Sequence, residues 1–247
     1  MKTFSLTDIG MCRKMNQDCF YTSELPVGNL PNLFLVADGM GGHNAGEYAS
    51  KHTADTIAEV AGASTRTDPE WILEEAIQAA NKELIEQAEA DMSLWGMGTT
   101  VVAAVISEGW IYVANVGDSR LYLINDSIRQ ITRDHSYVEE MVRRGRIDRA
   151  EARKHPNKNI ITRAVGAAKE IEIDFFKTCI QPGDEILLCS DGLTNMIEDE
   201  EIRRIVKGQR DPVEKAEKLI EAANQNGGKD NITVVIIDPF SDGMQTD

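Results

Sequence analysis

The chain has 247 residues, enough for one large domain or two small ones with a sizeable core, and a single domain over 1–240 is expected. With 41 Asp and Glu against 26 Lys and Arg, the formal net charge is −15, which excludes nucleic acid and anionic membrane as main partners and suits bound cations. The four cysteines, Cys12, Cys19, Cys179 and Cys189, form no Cys-x-x-Cys pair, and neither a membrane-length apolar run nor a signal-peptide core is present. A monomeric, cytoplasmic protein with reduced, buried thiols is therefore expected.

In chain order, Asp18 precedes the short run "CFYT", and "LFLVAD" at 33–38 reads as a buried strand ending in Asp38. Gly39, Gly41 and Gly42 follow, then a helix over about 45–60. Two phosphate-loop patterns fail here. Gly41 and Gly46 have Walker spacing, but Glu47 and Tyr48 replace Lys and Ser/Thr, and Asn44 replaces the third glycine of a dinucleotide fingerprint. Asp68-Pro69 opens a helix over 70–88 with Trp71, Ile72, Leu84 and Ile85 on one face. Apolar runs at 99–106, 110–117 and 120–124, joined by short breaks, read as an antiparallel meander reaching about residue 132. The segment 143–158 carries seven Lys/Arg against two acids and reads either as a solvated helical surface or as a mobile cover over an anionic substrate. Strands follow at 170–176 and 185–191. Asp211-Pro212 starts a last helix with Glu214 at capping-box spacing and Gly227 as its stop, before a strand at 232–238 and a polar tail at 241–247.

Acids recur where the apolar runs end. Asp38, Asp118 in "VGDSR", Asp191 in "CSDGL" and Asp230 in "KDNIT" each stand beside Gly or Asn, and Asp18 precedes its run. Any one alone is a turn residue or helix cap. Together they can converge at the end of a packed core, where carboxylates repel one another unless protonated or bridged by cations. Oxygen donors of this kind suit Mg2+ or Mn2+, whereas His43, His52, His135 and His155 form no zinc-ligand pair. Two such ions make a device for phosphate-ester hydrolysis, because they bind phosphoryl oxygens and generate hydroxide near neutral pH. Arg13 would grip the phosphate in bidentate fashion, with Arg163 the next candidate.

The ordered set "TDIGMCRKMNQD", "LVADGMGGHNAGEYAS", "GTTVVAAVI", "VANVGDSRLYLI", "ITRDHS", "NIITRAVG", "LLCSDGLTNMI" and "KDNITVVII" resembles the metal-dependent Ser/Thr protein phosphatases of the PPM, or type 2C, family, compact bacterial members above all. The resemblance implies an α+β fold, an α-β-β-α sandwich of two antiparallel sheets flanked by helices, with a flap at about 136–165. It implies hydrolysis of phosphoserine and phosphothreonine on proteins by a metal-bridged hydroxide, opposing a bacterial Ser/Thr kinase. Asp38 would bridge two core Mn2+ or Mg2+ ions with the Gly39 carbonyl on the second; Asp191 and Asp230 would hold the first, and Asp118 with Asp191 a third. Asp18 would order metal-bound water, Arg13 would bind phosphate, and Asn231 would brace Asp230. Two positions depart from the pattern: Gln17 stands where the family commonly has Glu, and Met40 where certain eukaryotic relatives place a histidine proposed as general acid. His43 then reads as a structural or helix-entry residue. A slow binding module on the same fold is disfavoured by the retained acids, and an aspartyl-nucleophile phosphatase by the missing Asp-x-Asp.

Overall fold

The computed structural model describes residues 1–241 apart from 43 and 210. Its strands are β1 (Lys2–Asp8), β2 (Asp18–Ser23), β3 (Leu33–Met40), β4 (Gly98–Thr99), β5 (Val101–Ser107), β6 (Trp110–Val116), β7 (Arg120–Ile124), β8 (Ile128–Gln130), β9 (Asp174–Cys179), β10 (Glu185–Cys189) and β11 (Ile232–Asp238). The helices are α1 (Ala45–Ala63), α2 (Pro69–Ala90), α3 (Tyr137–Arg143), α4 (Arg149–Lys154), α5 (Asp191–Thr194), α6 (Asp199–Gly208) and α7 (Pro212–Gln225). One antiparallel sheet has the order β1-β11-β10-β7-β8; the other has β2-β3-β5-β6-β9, with β4 paired to β3.

Side-chain alternation assigns each strand two faces. On β3, Leu33, Leu35 and Ala37 pack against α1 and α2, whereas Phe34 and Val36 face the opposite sheet. On β10, Leu187 and Cys189 pack under α6 and α7 while Ile186 and Leu188 point across; Val234 and Ile236 alternate with Val235 and Ile237 on β11 in the same way. Three apolar layers result, and the expected α-β-β-α sandwich is the observed architecture. Among the described residues no helix is long and apolar enough to cross a membrane.

The helix signals act through identifiable bonds. Asp68 accepts the Glu70 and Trp71 N–H groups ahead of α2. Its buried stripe is Ile72, Leu73, Ala76, Ile77, Ala80 and Leu84. Trp71 departs from the expected face: it is 55% exposed beneath the Arg66 guanidinium. The capping box forms at α4, between Asp148 and Glu151; Asp211 instead caps the Val213 N–H and pairs with Lys2 at 2.7 Å. After α7, Gly227 (φ 119°) and Gly228 donate back to Asn224 and Ala223, a Schellman stop.

Other expectations need correction. The meander divides into two hairpins on opposite sheets, since β6 pairs with β5 and β9 but β7 with β10 and β8. The chain changes sheet at Gly117, whose φ of 109° and whose missing Cβ, which would lie 2.5 Å from Thr100 Cγ2, only glycine accommodates. The strand expected at 170–176 runs Asp174–Cys179, and the one expected at 185–191 stops at Cys189 because Asp191 begins α5. Strand β1 and helix α6 had no counterpart among the expected elements. All four cysteines are free, but only Cys189 is buried; Cys12 and Cys179 are exposed. His43 and the tail beyond residue 241 lie outside the described residues.

Candidate active site

The parity that builds the core also delivers the acids. Asp18 and Asp38 are direct cross-strand partners at the end of the β2–β3 pair. Asp38 shares the face of Phe34 and Val36, the one turned toward the second sheet. From that sheet Ser190 Oγ and Thr233 Oγ1 each donate to Asp18 Oδ2 at 2.7 Å, so Asp18 joins the two layers. Its Oδ1 is buried and has no hydrogen-bond partner among the described residues. Asp38 is held by its backbone: its N–H donates to Thr100 Oγ1 at 3.0 Å, and its carbonyl accepts from the Thr100 N–H and Thr99 Oγ1, each at 2.9 Å. A Cβ on Gly39 would lie 2.0 Å from the Gly46 carbonyl oxygen, so the start of α1 packs on bare backbone there. The Gly39 N–H donates to the Gln17 carbonyl at 3.0 Å, and Ser50 Oγ donates to that oxygen at 2.6 Å.

Asp191, at the first turn of α5, accepts from Asn195 Nδ2 on Oδ2 at 2.8 Å, while its Oδ1 is buried with no hydrogen-bond partner among the described residues. Asp118 sits at the crossover between sheets and is 9% exposed. Asp230 accepts the Asn231 N–H on Oδ1 at 2.9 Å and meets Arg13 Nη2 on Oδ2 at 2.6 Å. Asn231 also accepts the Gln17 N–H at 2.9 Å and donates to the Ile9 and Met15 carbonyls at 3.0 and 2.9 Å. It thereby fixes the loop that carries Arg13.

The acids perturb one another. Loss of water around Asp18, offset by the Thr233 and Ser190 bonds and reinforced by the Asp191 and Asp230 charges, raises its pKa to about 7. Removal from water and then the Asp230 charge raise Asp191 to about 6. Asp38 is pushed well above the carboxylate range by loss of water and then by Asp18, Asp191, Asp118 and Asp230, and Asp118 by loss of water and then Asp191 and Asp134. The hydrogen bond to Asp230 raises the Arg13 pKa, with the Asp191 and Asp38 charges adding to it. Among the described residues, no three His, Cys, Asp or Glu side chains are drawn tightly enough to form a finished cage for an ion. The acids are electrostatic neighbours at one end of the sandwich.

Every acid singled out in the sequence thus reaches this end, as does Arg13. Arg163, the next candidate for the phosphate, pairs with Asp174 and Glu172, each at 2.7 Å. Met40 lines a neighbouring apolar cleft with Trp95 and Met97. Ser190, Thr233, Thr100 and Asn195 were not among the expected site residues. Strand parity marks Thr233, and Asn195 lies four residues after Asp191, one helical turn on.

Residues 13–233 match the family Protein phosphatase 2C. The serine/threonine phosphatase stp of Listeria innocua is 44% identical over 237 residues, covering 94% of this chain and 93% of that protein. Stp1 from Staphylococcus aureus superposes with a TM-score of 0.89 at 36% identity over 95% of this chain and 93% of its own. The catalytic domain of the serine/threonine protein phosphatase PstP, in complex with 2 manganese ions, does so at 0.84 and 35% identity over 95% and 96%. Both the arrangement of the acids and these likenesses lead to one assignment: the chain belongs to the protein phosphatase 2C family and is a phosphatase of the serine/threonine type.

Proposed function

We propose that this protein removes phosphate from phosphoserine and phosphothreonine of protein substrates at the Asp18–Asp38–Asp118–Asp191–Asp230 cluster, with two Mn2+ or Mg2+ ions bound there. The observation that carries this reading is a pair of buried carboxylate oxygens, Asp18 Oδ1 and Asp191 Oδ1, that have no hydrogen-bond partner among the described residues and belong to acids whose pKa values are raised. Such oxygens are costly unless a proton or cation meets them, and an all-oxygen donor set fits a hard divalent ion. Asp38, Asp191, Asp230 and the Gly39 carbonyl are the assigned ligands of the two ions, and Asp118 with Asp191 those of a third. When bound, such ions polarise phosphoryl oxygens and supply a nucleophile from water near neutral pH.

The chain's own groups do the rest. Asp18, fixed by Ser190 and Thr233, is placed to orient water through its open oxygen. Arg13 has a side chain 52% exposed, so it can turn from Asp230 to an arriving phosphate without stranding a buried charge. Removing substrate phosphate opposes a Ser/Thr kinase, and we assign the activity to a cytoplasmic monomer whose catalytic domain spans 1–240. Hydrolysis of a phosphothreonine peptide and of p-nitrophenyl phosphate, with and without Mn2+, tests the reading. Full activity of either substrate in metal-stripped protein would overturn it.

A further inference from the structure

The basic segment is closed at its root by the Ser136–Ile161 bridge, with the Thr162 N–H donating to the His135 carbonyl at 2.7 Å. Most of its arginines are occupied locally: Arg143 and Arg144 pair with Glu140, and Arg149 with Glu139. Two cations instead reach across to the turn that begins with Asp191. Arg153 Nη2 donates to the Thr194 and Ile197 carbonyls at 3.1 and 3.2 Å, covering acceptors that the short helix leaves open. Lys158 Nζ donates to Asn195 Oδ1 at 2.8 Å, and Asn195 Nδ2 donates to Asp191 Oδ2 at 2.8 Å. Both cations, with Asn195, Asp118 and Asp191, line a cavity of ≈ 520 Å³ under the segment.

Chemistry fixes the direction of this chain. A lysine only donates and an ionised carboxylate only accepts, so the group between them must do both. Asparagine does so, with its amide orientation set by its two neighbours. Leucine would do neither, and a second carboxylate would repel Asp191.

Building on the proposed site, we propose that Lys158 and Asn195 form a strut through which the basic flap holds the Asp191 carboxylate in one orientation, making both of them positioning residues. The strut fixes Oδ2 and leaves Oδ1, buried and without a hydrogen-bond partner among the described residues, open to a cation. Loss of the flap contact then loosens a ligand rather than removing a substrate contact.

The test is a double-mutant cycle on the full chain with Asn195→Leu, Lys158→Met and the pair, reading Mn2+ affinity by calorimetry together with kcat and KM for p-nitrophenyl phosphate. Asn195→Leu is expected to weaken Mn2+ binding about 10- to 100-fold, the range for groups that orient a metal ligand. Lys158→Met should lower affinity less, and the double variant should be no worse than Asn195→Leu, since both act through one path. The kinetic loss should appear in kcat at saturating Mn2+, with KM unchanged. Mn2+ affinity equal to wild type in Lys158→Met, with a raised KM, would overturn the proposal and make Lys158 a substrate contact. Additive losses would overturn it as well. Should Asn195→Leu not fold, Lys158→Met decides alone by the same criteria. Wild-type protein that neither binds Mn2+ nor hydrolyses the ester would overturn the functional reading itself, whereas variants matching an active wild type would overturn only the strut.

Discussion

At the scale of the residue, the site is defined by carboxylates withdrawn from water, whose charge a proton or a cation must meet. Asp38→Asn and Asp191→Asn should each lower kcat roughly 10²- to 10³-fold. The same changes should leave metal-free protein as stable as wild type or more so, because each removes a repelling charge; thermal melts beside turnover check both outcomes. Asp118→Ala should weaken Mn2+ binding less than either change, since under the proposed assignment two ions would keep Asp38, Asp191 and Asp230. Arg13→Ala should raise KM and reduce kcat/KM by about 10- to 150-fold, corresponding to ~1.5–3 kcal/mol for a charge-assisted contact, with Arg13→Lys recovering only part. Unchanged KM with weakened Mn2+ binding would make Arg13 a support for Asp230 instead. For Asp18 the raised pKa means that the folded, metal-free protein holds its proton more tightly than the unfolded chain. That contribution is fully present below about pH 4, the ordinary aspartate range, and is lost as pH rises through about 7. Asp18→Asn keeps an oxygen for Ser190 and Thr233 and cannot ionise. Its melting temperature relative to wild type, in EDTA, should therefore climb from pH 5 to pH 8, and a flat difference would show that Asp18 carries no such penalty.

At the scale of the element, legibility depended on whether the determining bond was local. The α2 start was legible because Asp68 and Pro69 act within four residues. Asp68→Ala should cost ~1 kcal/mol in denaturant unfolding while leaving kcat unchanged, since this cap lies on the outer layer. Strands β3, β10 and β11 were legible from continuous apolar runs covered on both faces. Strand β1 was not, because its residues are only partly covered and its run is broken by Ser5 and Thr7. The meander was misread for a related reason. Short breaks signal a reversal, but they do not say whether the returning strand pairs with its predecessor or enters the opposite sheet. That choice rests on Gly117 meeting Thr100, a contact between residues 17 apart.

At the scale of the whole molecule, the acids were legible one by one, whereas their convergence was legible only as a possibility and through the family resemblance. Each Asp stands visibly at the end of an apolar run, but whether those ends meet depends on sheet order, which pairs β1 with β11 across nearly the full chain. The hydroxyls of Ser190, just past β10, and of Thr233 on β11 join the two sheets at Asp18. They acquire a role only when the layers close. The overall acidity has a local counterpart in this cluster, whose mutual repulsion a divalent cation would relieve. The most direct measurement is hydrolysis of a phosphothreonine peptide by protein stripped with EDTA and then titrated with Mn2+. Negligible turnover is expected without metal, with recovery that saturates with Mn2+ in wild type and reaches at most about a hundredth of that level in Asp38→Asn. Turnover that persists after stripping, or that Mn2+ restores in full to Asp38→Asn, would contradict the metal-dependent reading.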